Sequence, residues 1–580
     1  MKKFIIYISK SLLLAAVACS FVACDDSFLA VAPETEITTE SFFKSPKDLE
    51  IYSNKFYGYL GAPSNDRGSD NVVAAGITND GFYRMMRGQV SPENIGQWYG
   101  YWERMREINF LLEHAHKAAG PQEDIDHFIG VGRLFRAWYY YELVKKYSDV
   151  PWYDRTLQTT DTDLLYKEQD SRAFVVDKIF EDLEFAEKHV KAHVDGNVSK
   201  TRLTKWTVLA WKARIALHEG TMRKYHPELG LADDHKRFLE MAEKASSELI
   251  KDGPFKVFMT NGTGERNSAY EALFNSKDLL KNSEMIMIKN YNKDEGILHD
   301  GKSVFNEGTG LSRDLLDEYL ALNDNGKAVP SHEVANYETK PYYEIFTNRD
   351  PRLQQTFMQA GFKMPGYSKI AYPDLNIGGY LQVKFYPTTA DQIGWTTSYT
   401  DKGILRLGEQ LLINAEAKAE LGTLKQEDLN VTIKLLRDRV EMPAPSLSDW
   451  LSNIDPVLAA KYPEVTGNMR GAILEIRRER RVELACEGFR HDDLFRWRVG
   501  GLAAKTTLGL YVEKLGAIDI TGDGVPEFYI SKDGEGFADI QNQYPGVEIF
   551  HYKLSSALFS LTAEEKGFIQ IKDQVDAFKF

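Results

Sequence analysis

Arg477-Arg478-Glu479-Arg480-Arg481-Val482-Glu483-Leu484-Ala485, continued by Cys486-Glu487-Gly488-Phe489-Arg490 and His491-Asp492-Asp493-Leu494, is a densely charged stretch near the end of a 580-residue chain. Acids alternate with bases along it. A nucleic-acid surface needs unpaired cations, so the alternation points to ion pairing within the fold. Spacing predicts helix over 470–498 with three opposite-sign i,i+3 pairs: Glu475–Arg478, Arg480–Glu483 and Arg490–Asp493. Each would contribute about 0.2–0.5 kcal/mol. Val482, Cys486 and Phe489 fall on one apolar stripe of the same helix. His491-Asp492-Asp493 is a poor metal site, because successive residues on a helix diverge.

Working outward, helical patterns dominate from the polar lead-in at 25–45 to about residue 250. Tyr101–His116 places Trp102, Met105, Asn109 and Leu112 on one face, and Val131–Lys146 carries Leu134, Ala137, Trp138, Tyr141 and Leu143. Trp206, Leu209, Ala210, Ala213 and Ile404, Leu407, Gly408, Leu411 both echo a helical-hairpin repeat, whose small residues let two helices approach closely. Gly220–Asp234 interrupts the first before the amphipathic run Phe238–Ile250, so the repeat is degenerate. From Gly262 to Asp401, Gly, Pro, Asn and Tyr become frequent, with β-like runs at 285–288 and 380–384. Long irregular segments between helical halves are uncommon unless functional. Helix returns at 404–421, 428–441 and 470–498.

The N-terminus carries a second signal. Lys2 and Lys3 precede an apolar run, and Phe21-Val22-Ala23-Cys24 closes it. This is a secretory signal, and a cysteine after the small residue suggests lipid attachment at Cys24. The run is interrupted by Lys10 and is short of the roughly 20 apolar residues of a spanning helix. Removing 1–23 changes the formal net charge from -14 to -17. An acidic body repels phosphate backbones and anionic headgroups, so nucleic acid is not an expected partner and membrane attachment falls to the lipid. The mature chain keeps Cys24 and Cys486 alone, which leaves no disulfide and no thiolate metal site.

Several fragments in the same order resemble the SusD/RagB family of outer-membrane nutrient-binding lipoproteins. They are Cys24-Asp25-Asp26-Ser27-Phe28-Leu29 with Pro33-Glu34-Thr35 and Phe42-Phe43; Leu134-Phe135-Arg136-Ala137-Trp138-Tyr139-Tyr140 with Asp149-Val150-Pro151; Asn348-Arg349-Asp350-Pro351-Arg352-Leu353; and the arginine-rich stretch itself. The resemblance implies a mainly α, SusD-like fold of about four tetratricopeptide-like helical pairs packed against a large irregular region with short strands. It implies a signal peptide at 1–23 and one SusD-like domain over 24–580, with parts at 24–260, 261–401 and 402–580. It further implies a lipid-anchored, non-catalytic protein exposed on the outer membrane. Such a protein binds oligosaccharide, or in some members peptide, and delivers it to a SusC-like TonB-dependent transporter.

Sugars dock by stacking a ring face on Trp or Tyr while amide and charged groups bond the hydroxyls. Asp70–Trp102 supplies both kinds of residue in a stretch rich in Gly and Asn. By region, the ligand candidates are Asp70, Arg84, Trp98 and Tyr101, with Tyr291 and Trp395 from the central segment. Both Trp98 and Trp102 also fit a helix core. No nucleophile elbow, zinc-binding helix or phosphate loop is present, and no cofactor is expected. A lipid-anchored glycoside hydrolase stays open as an alternative, since acid pairs are abundant and their separation is unreadable from sequence. Asp519-Ile520-Thr521-Gly522-Asp523-Gly524 resembles half of a calcium loop, but its twelfth position is Ile530, where a bidentate Glu belongs. A hairpin turn on Asp-Gly is the favoured reading, with calcium at Asp519, Asp523 and Glu527 a minor one.

Overall fold

The computed structural model describes residues 42–74, 98–194, 196–259, 269–301, 309–505, 507–531, 534–553 and 567–571. Its dominant elements are helices: α1 (Pro46–Ser53), α2 (Trp98–His114), α3 (Gln122–Tyr147), α4 (Arg172–His189), α5 (Lys205–Tyr225), α6 (His235–Asp252), α7 (Arg313–Glu318), α8 (Leu407–Leu421), α9 (Arg470–Glu483) and α10 (Arg490–Arg496). They pack largely in chain order: α2 on α3, α3 on α4, α4 on α5 and α5 on α6. Helix α8 then closes on α5 and α6, and α9 packs on α8. The mainly α architecture expected from sequence is what the chain adopts. Among the described residues, no helix is long and apolar enough to cross a membrane.

Local sequence explains much of this array. Ser45 accepts the Asp48 N–H while the Asp48 carboxylate accepts from the Ser45 N–H, a reciprocal cap that starts α1 with Pro46 in its first turn. Ser171 caps α4 one way only, its hydroxyl accepting the Phe174 N–H. Gly220 lies inside α5, not in an interruption as its sequence context suggested. A Cβ there would stand 2.9 Å from the Leu239 side chain, so its absence lets α6 close on α5.

Strands are short. β1 (Val72–Ala74) pairs antiparallel with β3 (Thr309–Leu311), and β2 (Met285–Lys289) with β4 (Lys402–Arg406). β5 (Thr507–Val512) pairs antiparallel with β9 (Gly567–Ile571). β7 (Phe528–Ser531) lies between β6 (Gly516–Ile518), antiparallel, and β8 (Phe550–Lys553), parallel. The helix expected from 404 starts at Leu407, because Ile404 and Leu405 belong to β4. Gly408 serves a different contact from the one its motif implied: a Cβ there would collide with the Arg406 guanidinium and with Glu284, not with a neighbouring helix. The β-like run 380–384 forms an isolated bridge, Phe357 to Gln382, and no strand.

Two main hydrophobic cores result. One is built by α1–α6, α8 and the inner residues of α9; the other gathers residues from 270–385 and 482–569. β2 and α9 lie between them. Ile286 and Met287 enter the first core while Met285 and Ile288 enter the second, across a register shift in the β2–β4 pairing. On α9, Ile473 and Ile476 face the first core and Val482 the second.

Candidate functional site

The expected single helix over 470–498 is two helices. Between Glu483 and Arg490 the chain turns through Cys486 (φ +65°) and Gly488 (φ +81°). The cause is Asp66. Its buried carboxylate accepts the Cys486 N–H at 2.7 Å, the Gly488 N–H at 2.8 Å and the Asn71 amide at 2.7 Å. Burial raises its pKa, since donated N–H bonds and a distant Lys384 do not fully offset desolvation.

The turn aims a lattice of buried charges across both cores. Glu483, fully buried, accepts from Arg406 at 2.8 Å, Arg352 at 2.9 Å and Arg439. Burial raises its pKa, but those three guanidiniums outweigh it and hold the carboxyl well below the usual range. Arg406 also reaches Glu284 and Glu487, Arg352 reaches Asp350 and Glu479, and Arg496 joins Glu416 to Asp493. Of the three pairs read from spacing, Glu475–Arg478 forms, at 2.9 Å. Arg480 instead takes Asp493, and Arg490 takes Asp70. Nor do His491, Asp492 and Asp493 converge: they bond Gly68 O, Lys145 and the Arg480/Arg496 pair respectively.

This lattice corrects one ligand candidate. Asp70 is 7% exposed, is bonded in bidentate fashion by Arg490 at 2.7 and 2.8 Å, and lies 3.0 Å from Arg481. Against the raising effect of burial, the two arginines pull its pKa down. Its oxygens are committed to the core and are not presented to a ligand.

A different arrangement surrounds Trp395 and Tyr291. The segments 290–301 and 387–401 are tied by reciprocal backbone bonds between His299 and Ser398, both 2.9 Å. Asp401 accepts from Tyr291 N, Leu279 N and the Asn290 amide, anchoring the base of the first segment. The half-buried Tyr291 ring packs edge-on against His299 at 4.4 Å. Trp395 is 56% exposed. Its neighbour Thr396 adopts φ +50°, held by an N–H bond of 2.6 Å to the Asp300 carboxylate. Beside it, Asp391 accepts from Thr389, from Lys293 at 3.0 Å and from Tyr399 at 2.9 Å, and Lys277 donates to Tyr399 at 3.0 Å. The buried Gln392 donates to Thr389 and accepts from Tyr399 N. The exposed Trp395 thus belongs to a cross-braced segment that also carries carboxylate, ammonium and phenol groups.

The remaining candidates fall elsewhere. Tyr101, on α2, is half-buried with its ring edge-on to Tyr139 and Tyr147, so it belongs to the α2–α3 packing. Trp98 is the first residue of α2. Cys24 and Arg84 lie outside the described residues. Sequence reading missed Asp391, Tyr399, Lys293 and Asp300, whose only signal was their presence in an irregular, aromatic segment. In the β6–β7 hairpin, carboxylate oxygens of Asp519, Asp523 and Glu527 lie within 4.8 Å of one another. Asp519 accepts the N–H groups of Thr521, Gly522 and Gly524, and Glu527 accepts the Ile520 N–H and the Thr521 hydroxyl, so these carboxylates brace the turn.

Comparison with known proteins agrees with this architecture. The SusD family model matches residues 271–553, and a model described as starch-binding associating with outer membrane matches 52–217. SusD-like protein P38 of Formosa agariphila is 23% identical over 504 residues, 81% of this chain and 88% of its own. A SusD-like carbohydrate binding protein of Bacteroides fragilis superposes with TM-score 0.65 at 18% identity, covering 93% of this chain and 96% of its own. A laminarin binding SusD-like protein gives 0.51 at 19%, covering 79% and 93%. At these identities the superpositions speak for the fold. With both family models in chain order and the arginine lattice that their signature stretch builds, this chain belongs to the SusD/RagB family.

Proposed function

We propose that the protein is a lipid-anchored lipoprotein of the outer-membrane surface that captures oligosaccharide and hands it to a SusC-like TonB-dependent transporter. Cys24 carries the lipid, and the platform around Trp395 and Tyr291 meets the ligand. The observation that carries the reading is the exposed Trp395 indole on a loop already fixed by hydrogen bonds. A pre-ordered aromatic surface loses little entropy on binding. Relatives described as carbohydrate binding and laminarin binding support a glycan as the ligand class. Binding without turnover is expected, because capture asks only for stacking and hydroxyl contacts.

The test is affinity electrophoresis or calorimetry of the mature protein against a panel of soluble polysaccharides and their oligosaccharides. Trp395→Ala is expected to weaken the ligand that binds by about 30-fold, the ~2 kcal/mol scale of a central tryptophan anchor, with no change in melting temperature. Undiminished binding by that variant, or release of reducing ends by the wild type, would sink the proposal. Acylation is checked separately: Cys24→Ser should move the protein out of the membrane fraction.

A further inference from the structure

We infer that the groove between α2 and the segment 151–169 is a second binding site, for a sugar ring that carries a carboxylate or a sulfate. Its volume is about 550 Å³, inside the roughly 300–1,000 Å³ of small-ligand pockets. None of its lining residues belongs to the Trp395 platform.

Hydrogen bonds fix this groove in advance. Asn109, on α2, donates its amide to Tyr153 O at 2.8 Å and to Arg155 O at 3.3 Å. Arg106, one turn earlier on the same helix, donates to Leu157 O. Further along, Asp161 accepts the Gln158 N–H at 2.8 Å and Asp170 accepts the Trp152 N–H at 2.6 Å, which folds the segment back on itself. Little ordering is left for a ligand to impose. The half-buried rings of Trp102 and Tyr153 line the groove and meet edge-on at 5.5 Å. Leu165 adds an apolar side chain that is 44% exposed. Together they offer an apolar surface to one face of a ring.

The charge of the wall selects the class of ring. Across the chain 85 acids outnumber 71 bases. Among the described residues, however, no aspartate or glutamate lines this groove, while Arg106, Arg155 and Lys167 do. Asp154, Asp163 and Glu168 belong to the same segment but not to the wall. Asp161 pairs Arg155 at 3.0 Å and Asp170 pairs Lys167 at 2.5 Å, both from outside it. Arg106 has no carboxylate partner among the described residues, and its bond goes to the Leu157 carbonyl. One cation is left over. The guanidinium fork has donors beyond the one that Leu157 takes, and it matches the paired oxygens of a carboxylate or sulfate. The acidic body does not cancel this local charge, because exposed charges more than roughly 8–10 Å away are largely screened at physiological salt. An apolar ring face with an anionic substituent complements such a wall. Naming that ring a sugar rests on the glycan-binding reading above; the groove, its apolar lining and its unpaired arginine do not.

Calorimetry of the mature protein against related probes tests this: oligogalacturonate for the carboxylate, carrageenan oligosaccharide for the sulfate and galacto-oligosaccharide as the neutral control. At least one acidic probe is expected to bind, about tenfold more weakly in Arg106→Gln and more weakly at high salt. Trp395→Ala should leave that binding unchanged. Leu165→Glu, which sets a repelling carboxylate at an exposed position in the groove, gives the same loss if Arg106→Gln does not fold. Binding of neither acidic probe would overturn the inference. So would acidic-probe binding that Trp395→Ala abolishes, or that Arg106→Gln and Leu165→Glu leave intact. Capture of polyglutamate but of neither acidic sugar would overturn it too, since the groove would then take acidic peptide. Neutral-glycan capture lost in Trp395→Ala, with no acidic probe bound, would leave the platform reading standing while removing this one. Acidic-probe binding lost in Arg106→Gln, with no glycan weakened by Trp395→Ala, would do the reverse.

Discussion

The α9 lattice and the Trp395 platform draw on the same side chains, carboxylates, cations and aromatic rings, and use them in opposite ways. In the lattice every charge is inside: Glu483, Arg439 and Arg352 have almost no solvent exposure and meet across two cores. On the platform Lys293 is exposed and donates to Asp391, which also accepts from the Tyr399 hydroxyl at the surface. Buried ion pairs add modestly to stability when complete, yet removing one partner strands a charge in low dielectric. Exposed pairs are worth little either way. The lattice therefore bears on whether the protein folds, and the platform, on the function proposed above, on what it holds.

The largest effect should come from Glu483→Ala. It leaves Arg406, Arg439 and Arg352 short of a shared carboxylate, at a cost of about 3–5 kcal/mol or more. The expected outcome is a strongly lowered urea midpoint or failure to accumulate as soluble protein; a midpoint within experimental error of wild type would break the contrast. Asp70→Asn comes next. It keeps the shape but removes the charge facing Arg490 and Arg481, and should cost about 2–4 kcal/mol. Glycan affinity measured on the folded fraction should be unchanged. Loss of affinity at full folding would return Asp70 to the ligand face.

Acid should separate the regions by stability before it touches binding. His218, His127 and His299 are driven down by burial, to about 3, about 4 and about 4. A histidine with a lowered folded pKa is neutral in the fold and protonates on unfolding, so its contribution is whole above pH ~6.5 and is lost as pH falls toward the folded value. Asp317 opposes this: burial raises its pKa to about 6, which stabilises the fold as pH falls from 6 toward 4. Burial raises Asp66, Asp401 and Glu475 too, which adds to this opposition; the three histidines are expected to prevail. The urea midpoint should fall gradually from pH 6.5 to 5, then steeply below about pH 4 as the depressed carboxylates of Glu483, Asp70 and Asp493 protonate. A midpoint that rises between pH 6.5 and 5 would contradict this.

The same contrast explains what the sequence could reveal. Helices α2, α3, α5 and α6 were legible because their apolar spacing is local, and the segment 261–401 was legible as irregular because its Gly, Pro and Asn content is local too. The lattice was not. Asp70 meets Arg490 across 420 residues and Glu284 meets Arg406 across 122, so i,i+3 spacing found one pair in three and missed the rest. Gly68-Ser69-Asp70-Asn71 has the composition of a surface loop, yet α9 and α10 bury it. Likewise nothing near Cys486 announces that Asp66 will bend the chain there. Trp395 could be named as a candidate because an aromatic residue in an irregular segment is itself the signal, and the structure leaves it exposed. Its braces were missed because Asp391, Lys293 and Tyr399 acquire their roles only when two loops 100 residues apart come together.

Those braces set the smallest and most discriminating effect. If the platform works by holding Trp395 in place, weakening a brace should reduce affinity without touching the fold. Asp391 gathers Thr389, Lys293 and Tyr399, and their hydrogen bonds hold its pKa below the usual carboxylate range. Asp391→Asn keeps the size of the side chain but loses the charge that collects three donors. Being exposed, the substitution should leave the melting temperature essentially unchanged. Glycan affinity should fall two- to fivefold, because binding must now order a looser loop, and Lys293→Met should give a similar loss. If the two effects are not additive in the double variant, the braces act as one unit. Full additivity would mean that each group touches the glycan directly, and the platform would then be a contact surface, not a scaffold for its tryptophan.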